Sequence, residues 1–146
     1  MQALLQRVSQ ASVTIDGRLK GEIGQGLLVL LCAEHGDTEE TGKKLLEKIL
    51  KLRLFADTND KMNLSVLDIH GSLLIVSQFT LAADTSKGNR PSFTKAADPD
   101  LARTLYNAFV KQAQTSGLAI ATGEFGANMQ VSLINDGPVT IPVMIR

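Results

Sequence analysis

The chain has 146 residues, of which 44% are hydrophobic, and this length predicts a single domain over residues 1–146. Its 15 basic and 15 acidic residues balance, which argues against a general polyanion binder, because sequence-independent affinity for nucleic acid depends on cations that meet phosphates. The single cysteine, Cys32, excludes an intrachain disulfide, and the longest apolar stretch, Leu27 to Ala33, is about a third of a membrane span. With no secretion signal in its first residues, the sequence predicts a cytoplasmic protein that does not associate with membranes.

The N-terminal third of the sequence predicts β-strands. Short apolar segments are separated by Asp16-Gly17, a strong signal for a tight hairpin, and by a second turn at residues 24–26. The uninterrupted apolar run from Leu27 to Ala33 predicts a strand that is covered on both faces.

A helix is expected next, where Leu45, Ile49 and Leu52 recur at helical spacing. Asp37 is the predicted N-cap, and Glu40 follows three residues later, as in a capping box. The lysines of this helix are interpreted as a solvated face, so its predicted role is packing.

The middle of the chain predicts a loop over residues 57–63 and a central strand over residues 73–79. Asp98 and Pro99 then mark the start of a second helix, because proline is tolerated at the first helical position. Gly117 marks the end of this helix.

Two strands are expected near the end of the sequence, over residues 129–134 and 139–145, joined by the turn sequence Asn-Asp-Gly-Pro at residues 135–138. The whole pattern predicts an α+β fold, in which two helices pack on a strongly curved, mainly antiparallel, barrel-like β-sheet.

A polar tetrapeptide, Ser77-Gln78-Phe79-Thr80, interrupts the apolar run of the expected central strand. Its hydroxyls are nucleophile-type groups, but no evident base accompanies them, since His35 and His70 lie in no catalytic motif and are interpreted as turn residues without a role. The sequence contains no coherent metal-binding cluster and no dinucleotide or phosphate-binding signature, so no metal or other cofactor is expected. An enzyme built on these hydroxyls would depend on its substrate or its own backbone for much of the chemistry.

Two motifs make the sequence similar to a known family. With Ser-Gln-Phe-Thr at residues 77–80 and Asn-Asp-Gly-Pro-Val-Thr at residues 135–140, the chain closely resembles D-aminoacyl-tRNA deacylase, essentially from end to end. Further matching segments follow the order of the family: QRV at 6–8, ASV at 11–13, GNRPSF at 88–93 and FGANMQV at 125–131. The pair of motifs is far more specific than either motif alone.

The resemblance implies hydrolysis of the ester that joins a D-amino acid to the terminal adenosine of tRNA, and glycine, which lacks Cβ, should pass as well. It also implies a homodimer with each active site at the subunit interface. Ser77, Gln78, Phe79 and Thr80 of one subunit would line the pocket, and Gly137-Pro138 of the other would enter it as a cis peptide. Because glycine has no Cβ, its backbone approaches a ligand closely and would exclude the side chain of an L-amino acid.

Two catalytic schemes are compatible with the resemblance. In the first, Thr80 is the nucleophile and forms an acyl-enzyme. In the second, the 2′-hydroxyl of the terminal adenosine helps to activate water, and backbone N–H groups of Phe79 and Thr80 form an oxyanion hole. The second scheme is favoured because the sequence has no convincing general base, and Thr80 is then a positioning residue.

Several other residues have two interpretations each. Arg7 either orients the pocket or is a solvated strand arginine. Phe79 either stacks on the terminal adenine or is the next core residue of the strand. Phe125 and Met129 either form a wall of the pocket or belong to the core.

Lys87 and Arg90 lie in a stretch, residues 87–95, that holds three cations and no acid. The family resemblance assigns them to tRNA phosphates, although a solvated loop is the simpler interpretation of the charge alone. Two other functions stay open at this point. One is a tRNA-binding module without catalysis, and the other is a hydrolase for a small ester or amide, which would be indifferent to salt.

Overall fold

The sheet is organised around its first strand. The computed structural model describes residues 1–146 and begins with β1 (Gln2–Ile15), which pairs with three other strands. The remaining strands are β2 (Arg18–Ile23), β3 (Gly26–Cys32), β4 (Arg53–Ala56), β5 (Met62–Ser65), β6 (Ser72–Ser77), β7 (Ala119–Thr122) and β8 (Gln130–Met144). The helices are α1 (Glu39–Lys51), a short 3-10 helix (Phe79–Ala82) and α2 (Pro99–Gln114).

The main sheet has the strand order β2-β1-β3-β6-β7, and β8 pairs with β1 outside this path. β1 runs antiparallel to β2, β3 and β8, whereas β6 runs parallel to both β3 and β7. β2 comes so close to β7 that a Cβ on Gly21 would lie 2.9 Å from the carbonyl oxygen of Thr122, so the sheet curls into a nearly closed barrel. The expected α+β fold, with a curved sheet and two packed helices, is confirmed.

The first hairpin forms where the sequence predicts it. Asp16 and Gly17 join β1 to β2 with φ angles of 51° and 75°, the left-handed conformation that a two-residue hairpin turn of this kind requires at both positions. β3 begins after the second predicted turn and pairs along both edges, with β1 and β6. All of its residues except Leu30 are buried, so both of its faces are covered as expected.

The predicted capping box of α1 is wrong. The N-cap is Thr38, whose hydroxyl accepts a bond from the N–H of Thr41 at 3.3 Å, while the hydroxyl of Thr41 accepts one from the N–H of Thr38 at 3.2 Å. Asp37 is engaged elsewhere, since it accepts bonds from the α-ammonium of Met1 at 2.6 Å and from the N–H of Glu34 at 2.7 Å. A contact with a residue distant in sequence therefore removes Asp37 from the local role for which it is suited.

The second helix begins as predicted. Pro99 occupies its first turn after Asp98, although the Asp98 side chain makes no capping hydrogen bond. After the helix the chain turns at Gly117, which has a φ of 86°. No helix of the chain combines the length and the apolar character needed to cross a lipid bilayer.

The two strands expected near the end of the chain are one strand. β8 pairs with β1 on both sides of residues 136–139, and the register passes from Asn135 opposite Val8 to Thr140 opposite Gln6. Residues 136–139 therefore bulge out of the ladder opposite Arg7. Proline has no N–H to give to a ladder, so it is tolerated at such a bulge, and the predicted turn corresponds to this bulge.

The sheet buries apolar side chains on both faces. Leu5, Val29 and Ile75 belong to the larger group, which also contains the buried residues of α1 and α2. Val8 and Leu28 belong to the smaller group, which contains no residue of α1 or α2. The ends of β3 and β6 are thus held by packing on both sides.

Asp37→Ala is expected to lower the free energy of unfolding by about 3–5 kcal/mol, because it leaves the Met1 ammonium buried without its counter-charge. The side chains of Met1 and Asp37 are 1% and 8% exposed. Equilibrium urea denaturation measures the difference. The control is Glu47→Ala on the exposed face of α1, which should change the stability by less than about 0.5 kcal/mol. A loss for Asp37→Ala no larger than that of the control would mean that the ion pair does not stabilise the fold.

Candidate active site

A cavity of about 710 Å³ opens at the carboxyl ends of β3 and β6. These strands are parallel neighbours, so their carboxyl ends meet at one edge of the sheet, where parallel strands usually bind ligands. The cavity walls come from the ends of these two strands, the start of α2 and the loop at residues 125–129. Its volume lies in the range of small-ligand sites.

The polar tetrapeptide of the sequence lies at this edge. β6 ends at Ser77, before the predicted boundary at Phe79, because the chain turns at Gln78 into the 3-10 helix. The N–H of Gln78 bonds the carbonyl oxygen of Leu31 at 2.8 Å, which ties the turn to β3. Ser77, Gln78 and Phe79 line the cavity. Thr80 does not line it; this residue is exposed, and its hydroxyl accepts a hydrogen bond from the amide of Gln78.

Phe79 is exposed and is not a core residue of the strand. It is 54% exposed at the mouth of the cavity, where its ring meets that of Phe93 at an angle of 71°, with the ring centroids 5.2 Å apart. The thiol of Cys32 makes a weak hydrogen bond to the carbonyl oxygen of Phe79 at 3.5 Å. An anchored backbone with a solvent-facing aromatic ring is suited to stacking on a flat ligand.

Aromatic and sulfur-containing side chains form the inner wall. Phe125 and Met129 are partly buried and line the cavity, so the wall interpretation agrees with their positions. Tyr106 of α2 packs against Phe125, with the ring centroids 5.9 Å apart, and donates its hydroxyl to the carbonyl oxygen of Ile75 at 2.8 Å. Burial raises the pKa of Tyr106 to about 12, so the phenol stays protonated near neutral pH.

The buried polar groups of the cavity wall are neutral, and the titratable side chains that line it, His35 and Asp98, are exposed. Burial, and after it the carboxylate of Glu34, raise the pKa of the Cys32 thiol to about 11, so this group is neutral as well. His35 lines the cavity and is exposed to solvent, and its ring makes no hydrogen bond within the chain. No group of three or more His, Cys, Asp or Glu side chains is placed so that it could hold a metal ion.

The second motif of the sequence lies outside the cavity, in the β8 bulge. Gly137 and Pro138 are joined by a cis peptide bond and are exposed, and neither lines the cavity. Arg7 of β1 donates from Nε to the carbonyl oxygen of Asp136 at 2.8 Å and from Nη1 to that of Leu54 at 2.7 Å. Arg7 therefore fixes the bulge to β4 and is not a freely solvated arginine.

The bulge is closed at its base and leaves no room for a side chain at Gly137. Asn135 accepts a bond from the N–H of Val139 and donates one to the hydroxyl of Thr140, both at 2.8 Å. A Cβ on Gly137 would lie 2.7 Å from Cγ2 and 2.8 Å from the backbone N of Val139, and its φ of 149° is one that L-residues rarely adopt. The main chain at this point is exposed, crowded and held from several sides.

Comparison with known proteins identifies the family. The family model described as D-Tyr-tRNA(Tyr) deacylase matches residues 4–144. The chain belongs to this family. A protein named D-aminoacyl-tRNA deacylase from Azoarcus sp. (strain BH72) is 61% identical over 99% of this chain and 96% of its own length. One of the same name from Variovorax paradoxus (strain S110) is 60% identical over 99% of both chains.

Solved structures agree with this family assignment. A structure described as "c-Myc DNA Unwinding Element Binding Protein" superimposes with a TM-score of 0.95 and 42% identity, over 100% of this chain and 99% of that one. A second, described as "Structural Analysis of a probable eukaryotic D-amino acid tRNA deacylase", has a TM-score of 0.84 over 99% of this chain and 98% of the other. At 17% identity, the second shows that the fold is shared and no more.

In this deacylase-family chain, the residues that the sequence proposes for the site fall into two separate groups. The first group surrounds the cavity and consists of Ser77, Gln78, Phe79, Phe125 and Met129, with Thr80 beside it. The second group lies at the bulge and consists of Arg7, Gly137 and Pro138. Lys87 and Arg90 are exposed in the loop between the 3-10 helix and α2, which also brings Phe93 and Thr94 to the cavity.

Sequence reasoning missed several cavity residues of this family member. They are Met1, Cys32, His35, Phe93, Ala102 and Tyr106. Ala102 and Tyr106 have a local signal, because they follow Pro99 at helical spacing and so share one face of the predicted second helix. Phe93 lies in GNRPSF, one of the segments that match the family. Met1 and Cys32 reach the cavity through pairing of strands, which no local pattern reveals.

Gly137→Ala is expected to lower the free energy of unfolding by about 1–3 kcal/mol, because the new Cβ is strained by φ and meets the backbone of Val139. Urea denaturation at a fixed protein concentration provides the measurement. Gly24→Ala is the matched control, since a Cβ there meets nothing within 4 Å, and it should be neutral or slightly stabilising. Identical denaturation curves for the two variants would show that the bulge can accommodate a Cβ at Gly137 without strain.

Proposed function

We propose that the chain is a homodimeric D-aminoacyl-tRNA deacylase that hydrolyses the ester between a D-amino acid, or glycine, and the terminal adenosine of tRNA. Family membership supports the reaction, and the relatives that share about 60% of the sequence are named for it. The observation that carries the site assignment is the separation of the two motifs. Residues 77–79 line a cavity, while Gly137-Pro138 stands exposed outside it, so a second copy of the chain is needed to bring them together.

β8 supplies the surface for that second copy. It pairs only with β1, so its other edge is unpaired, and an open strand edge favours pairing with another chain. No residue of β8 is buried, and Ile134 and Met144 are 51% and 47% exposed. In the proposed homodimer this surface is covered, and the bulge of each protomer enters the cavity of its partner.

Main chain, and not a side-chain pocket, selects the substrate in this proposal. Once the ester and the α-ammonium group of the substrate are held, the two enantiomers differ in the direction of Cβ. The backbone around Gly137, kept in place by Arg7 and Asn135, occupies the space that an L side chain needs and leaves a D side chain in solvent. Many D-amino acids are then accepted, and glycine passes because it has no Cβ.

The chemical step depends on the substrate for its proton transfers. Water adds to the ester carbonyl carbon, its proton passes through the 2′-hydroxyl to the 3′ oxygen, and the carbon–oxygen bond to the 3′ oxygen breaks. The products are the free amino acid and a tRNA with a 3′-hydroxyl. Backbone N–H groups of Phe79 and Thr80, at the start of the 3-10 helix, stabilise the oxyanion, because the opening N–H groups of a helix have no partner within it. Raised pKa values keep the nearby Cys32 and Tyr106 neutral. This supports a scheme in which the substrate carries out the proton transfers and the protein backbone stabilises the oxyanion.

The remaining assignments follow from the same substrate. Lys87 and Arg90 meet tRNA phosphates, Phe79 stacks on the terminal adenine, and Phe125 and Met129 form the wall behind it. The chain works as one domain, over residues 1–146, in the cytoplasm and without a cofactor.

The purified protein is expected to release D-tyrosine from D-tyrosyl-tRNA and to leave L-tyrosyl-tRNA intact. The fraction of labelled amino acid that remains attached to tRNA, followed over time at several salt concentrations, measures both reactions. Binding of the charged tRNA without loss of the ester would identify a non-catalytic binding module. Cleavage of D-tyrosine methyl ester as fast as the tRNA ester, with no dependence on salt, would identify a small-molecule hydrolase.

Thr80→Ala is expected to reduce kcat on D-tyrosyl-tRNA by less than about 100-fold, since the Thr80 hydroxyl lies outside the cavity and positions Gln78.

A tRNA that ends in 2′-deoxyadenosine and carries the D-amino acid on its 3′ oxygen should react about 10²–10⁴-fold more slowly, because the proton relay is missing. Single-turnover rates measure both effects, with Thr80→Ser as the conservative variant. Background turnover by Thr80→Ala, together with full activity on the deoxy substrate, would restore the acyl-enzyme scheme.

A further inference from the structure

The mouth of the cavity carries a second exposed aromatic ring. Phe93 is 36% exposed, lines the cavity and packs against Phe79. These two are the only aromatic residues among the exposed large hydrophobic side chains of the chain. Single exposed apolar residues are ordinary on protein surfaces, but two exposed rings in contact at one cavity mouth indicate a binding surface.

The loop that carries Phe93 is anchored on both sides of the ring. Asp84 and Ser92 exchange two backbone hydrogen bonds at 2.7 Å and 2.9 Å. On the other side, the N–H of His35 bonds the carbonyl oxygen of Lys95 at 3.1 Å, and the N–H of Ala97 bonds that of Ala33 at 3.0 Å. The ring is therefore held at the mouth before any ligand arrives, which limits the entropy that binding would cost.

The same loop concentrates positive charge in a chain whose net charge is zero. Lys87, Arg90 and Lys95 are all exposed, and the two ion pairs of the structure, Met1–Asp37 and Arg146–Glu34, include none of them. These cations belong to the same loop as Phe93. Exposed aromatic rings together with unpaired cations are the combination with which proteins bind single-stranded nucleic acid, whose bases stack while its phosphates meet the cations. A duplex would not offer its base faces to such a surface.

We propose that Phe93, with Arg90 and Lys87, binds the nucleotide that precedes the terminal adenosine of the substrate, so the enzyme recognises the unpaired 3′ strand of tRNA over at least two nucleotides. This proposal rests on the function proposed above and adds a second base-binding position to the same site. When the terminal adenosine lies in the cavity beside Phe79, the preceding nucleotide is one phosphodiester away, at the mouth where Phe93 stands. Stacking on a ring accepts any base, which suits an end sequence that is common to all tRNA species.

Truncated substrates test the proposal. Phe93→Ala is expected to lower kcat/KM about 5- to 150-fold on D-tyrosyl-CCA trinucleotide and on D-tyrosyl-tRNA, which is the factor that one lost base–aromatic stack brings. On D-tyrosyl-adenosine, which has no preceding nucleotide, the change should be less than about twofold. Phe93→Leu keeps the apolar bulk but should lose almost as much as Phe93→Ala, and Phe93→Trp should restore activity.

Binding of uncharged oligonucleotides supplies a readout that does not need catalysis. The wild-type protein should bind the trinucleotide CCA more tightly than adenosine, and Phe93→Ala should remove most of that difference. Arg90→Gln should reduce the slope of log affinity against log salt by about 0.7, as expected for one single-strand phosphate contact, whereas Lys111→Gln on α2 should leave it unchanged. Leu101→Ala is the control for loss of an exposed apolar side chain, since Leu101 is 38% exposed and lies outside the cavity lining.

The outcomes separate the possible roles of Phe93. Equal losses on the nucleoside, the trinucleotide and tRNA would overturn the proposal and leave Phe93 as a support for Phe79. Equal affinity of the wild-type protein for CCA and adenosine would overturn it as well. If the protein binds CCA through Phe93 but cleaves no D-aminoacyl substrate, the result would support this inference and contradict the proposed function.

Discussion

The break in the pairing of β1 and β8 opposite Arg7 is the constraint on which the rest of the structure depends. The two longest strands of the sheet pair on both sides of this point, and residues 136–139 are forced out of the ladder between them. Arg7 and Asn135 then hold the displaced segment through its own backbone groups. A place without room for a side chain is thus attached to the most extensive strand pair of the sheet. Under the proposed function, main chain held in this way excludes a bulky substituent of the substrate.

The cavity has a different character, since its buried polar groups, the Cys32 thiol and the Tyr106 phenol, are neutral, and its titratable side chains, His35 and Asp98, are exposed. Three of its polar side chains bond to groups of the protein itself: Gln78 to Thr80, Cys32 to the carbonyl oxygen of Phe79, and Tyr106 to that of Ile75. Such bonds position the backbone at the ends of β3 and β6. Under the proposed function, the ribose of the substrate provides the proton transfers, so a site of this kind needs geometry more than it needs a catalytic base.

Local signals in the sequence were sufficient for part of the fold and of the site. Asp16-Gly17 and Asp98-Pro99 act through the conformation of their own backbone, and both were predicted correctly. The local pattern gives the wrong role for Asp37, because its partner is Met1, which is distant from α1 in sequence. The sequence predicts a turn between two strands at the β8 bulge, because Asn-Asp-Gly-Pro has turn propensity and only pairing with β1 overrides it.

The site was harder to predict than the fold for the same reason. The polar tetrapeptide was visible because it interrupts an apolar run, but Cys32, Phe93 and Tyr106 reach the cavity from three other segments of the chain. Residue type alone does not mark these three residues as part of a site. They are recognised as such only when the fold brings them together at the cavity. The separation of the two motifs on one protomer is also a three-dimensional fact, and it is this separation that requires a second copy in the proposed enzyme.

Zero net charge fits an enzyme that recognises only the end of a polyanion. A chain without excess cations has little long-range attraction for the body of tRNA. Under the proposed function its contacts with tRNA therefore depend on the loop at residues 87–95 and on the ring of Phe79. Under the proposals above, this surface meets the unpaired 3′ strand, which all tRNAs share, and the bulge meets the α-carbon, which all amino acids share. Tolerance of many tRNA species and of many D side chains then has one physical source, because every contact is made to a group that the substrates have in common.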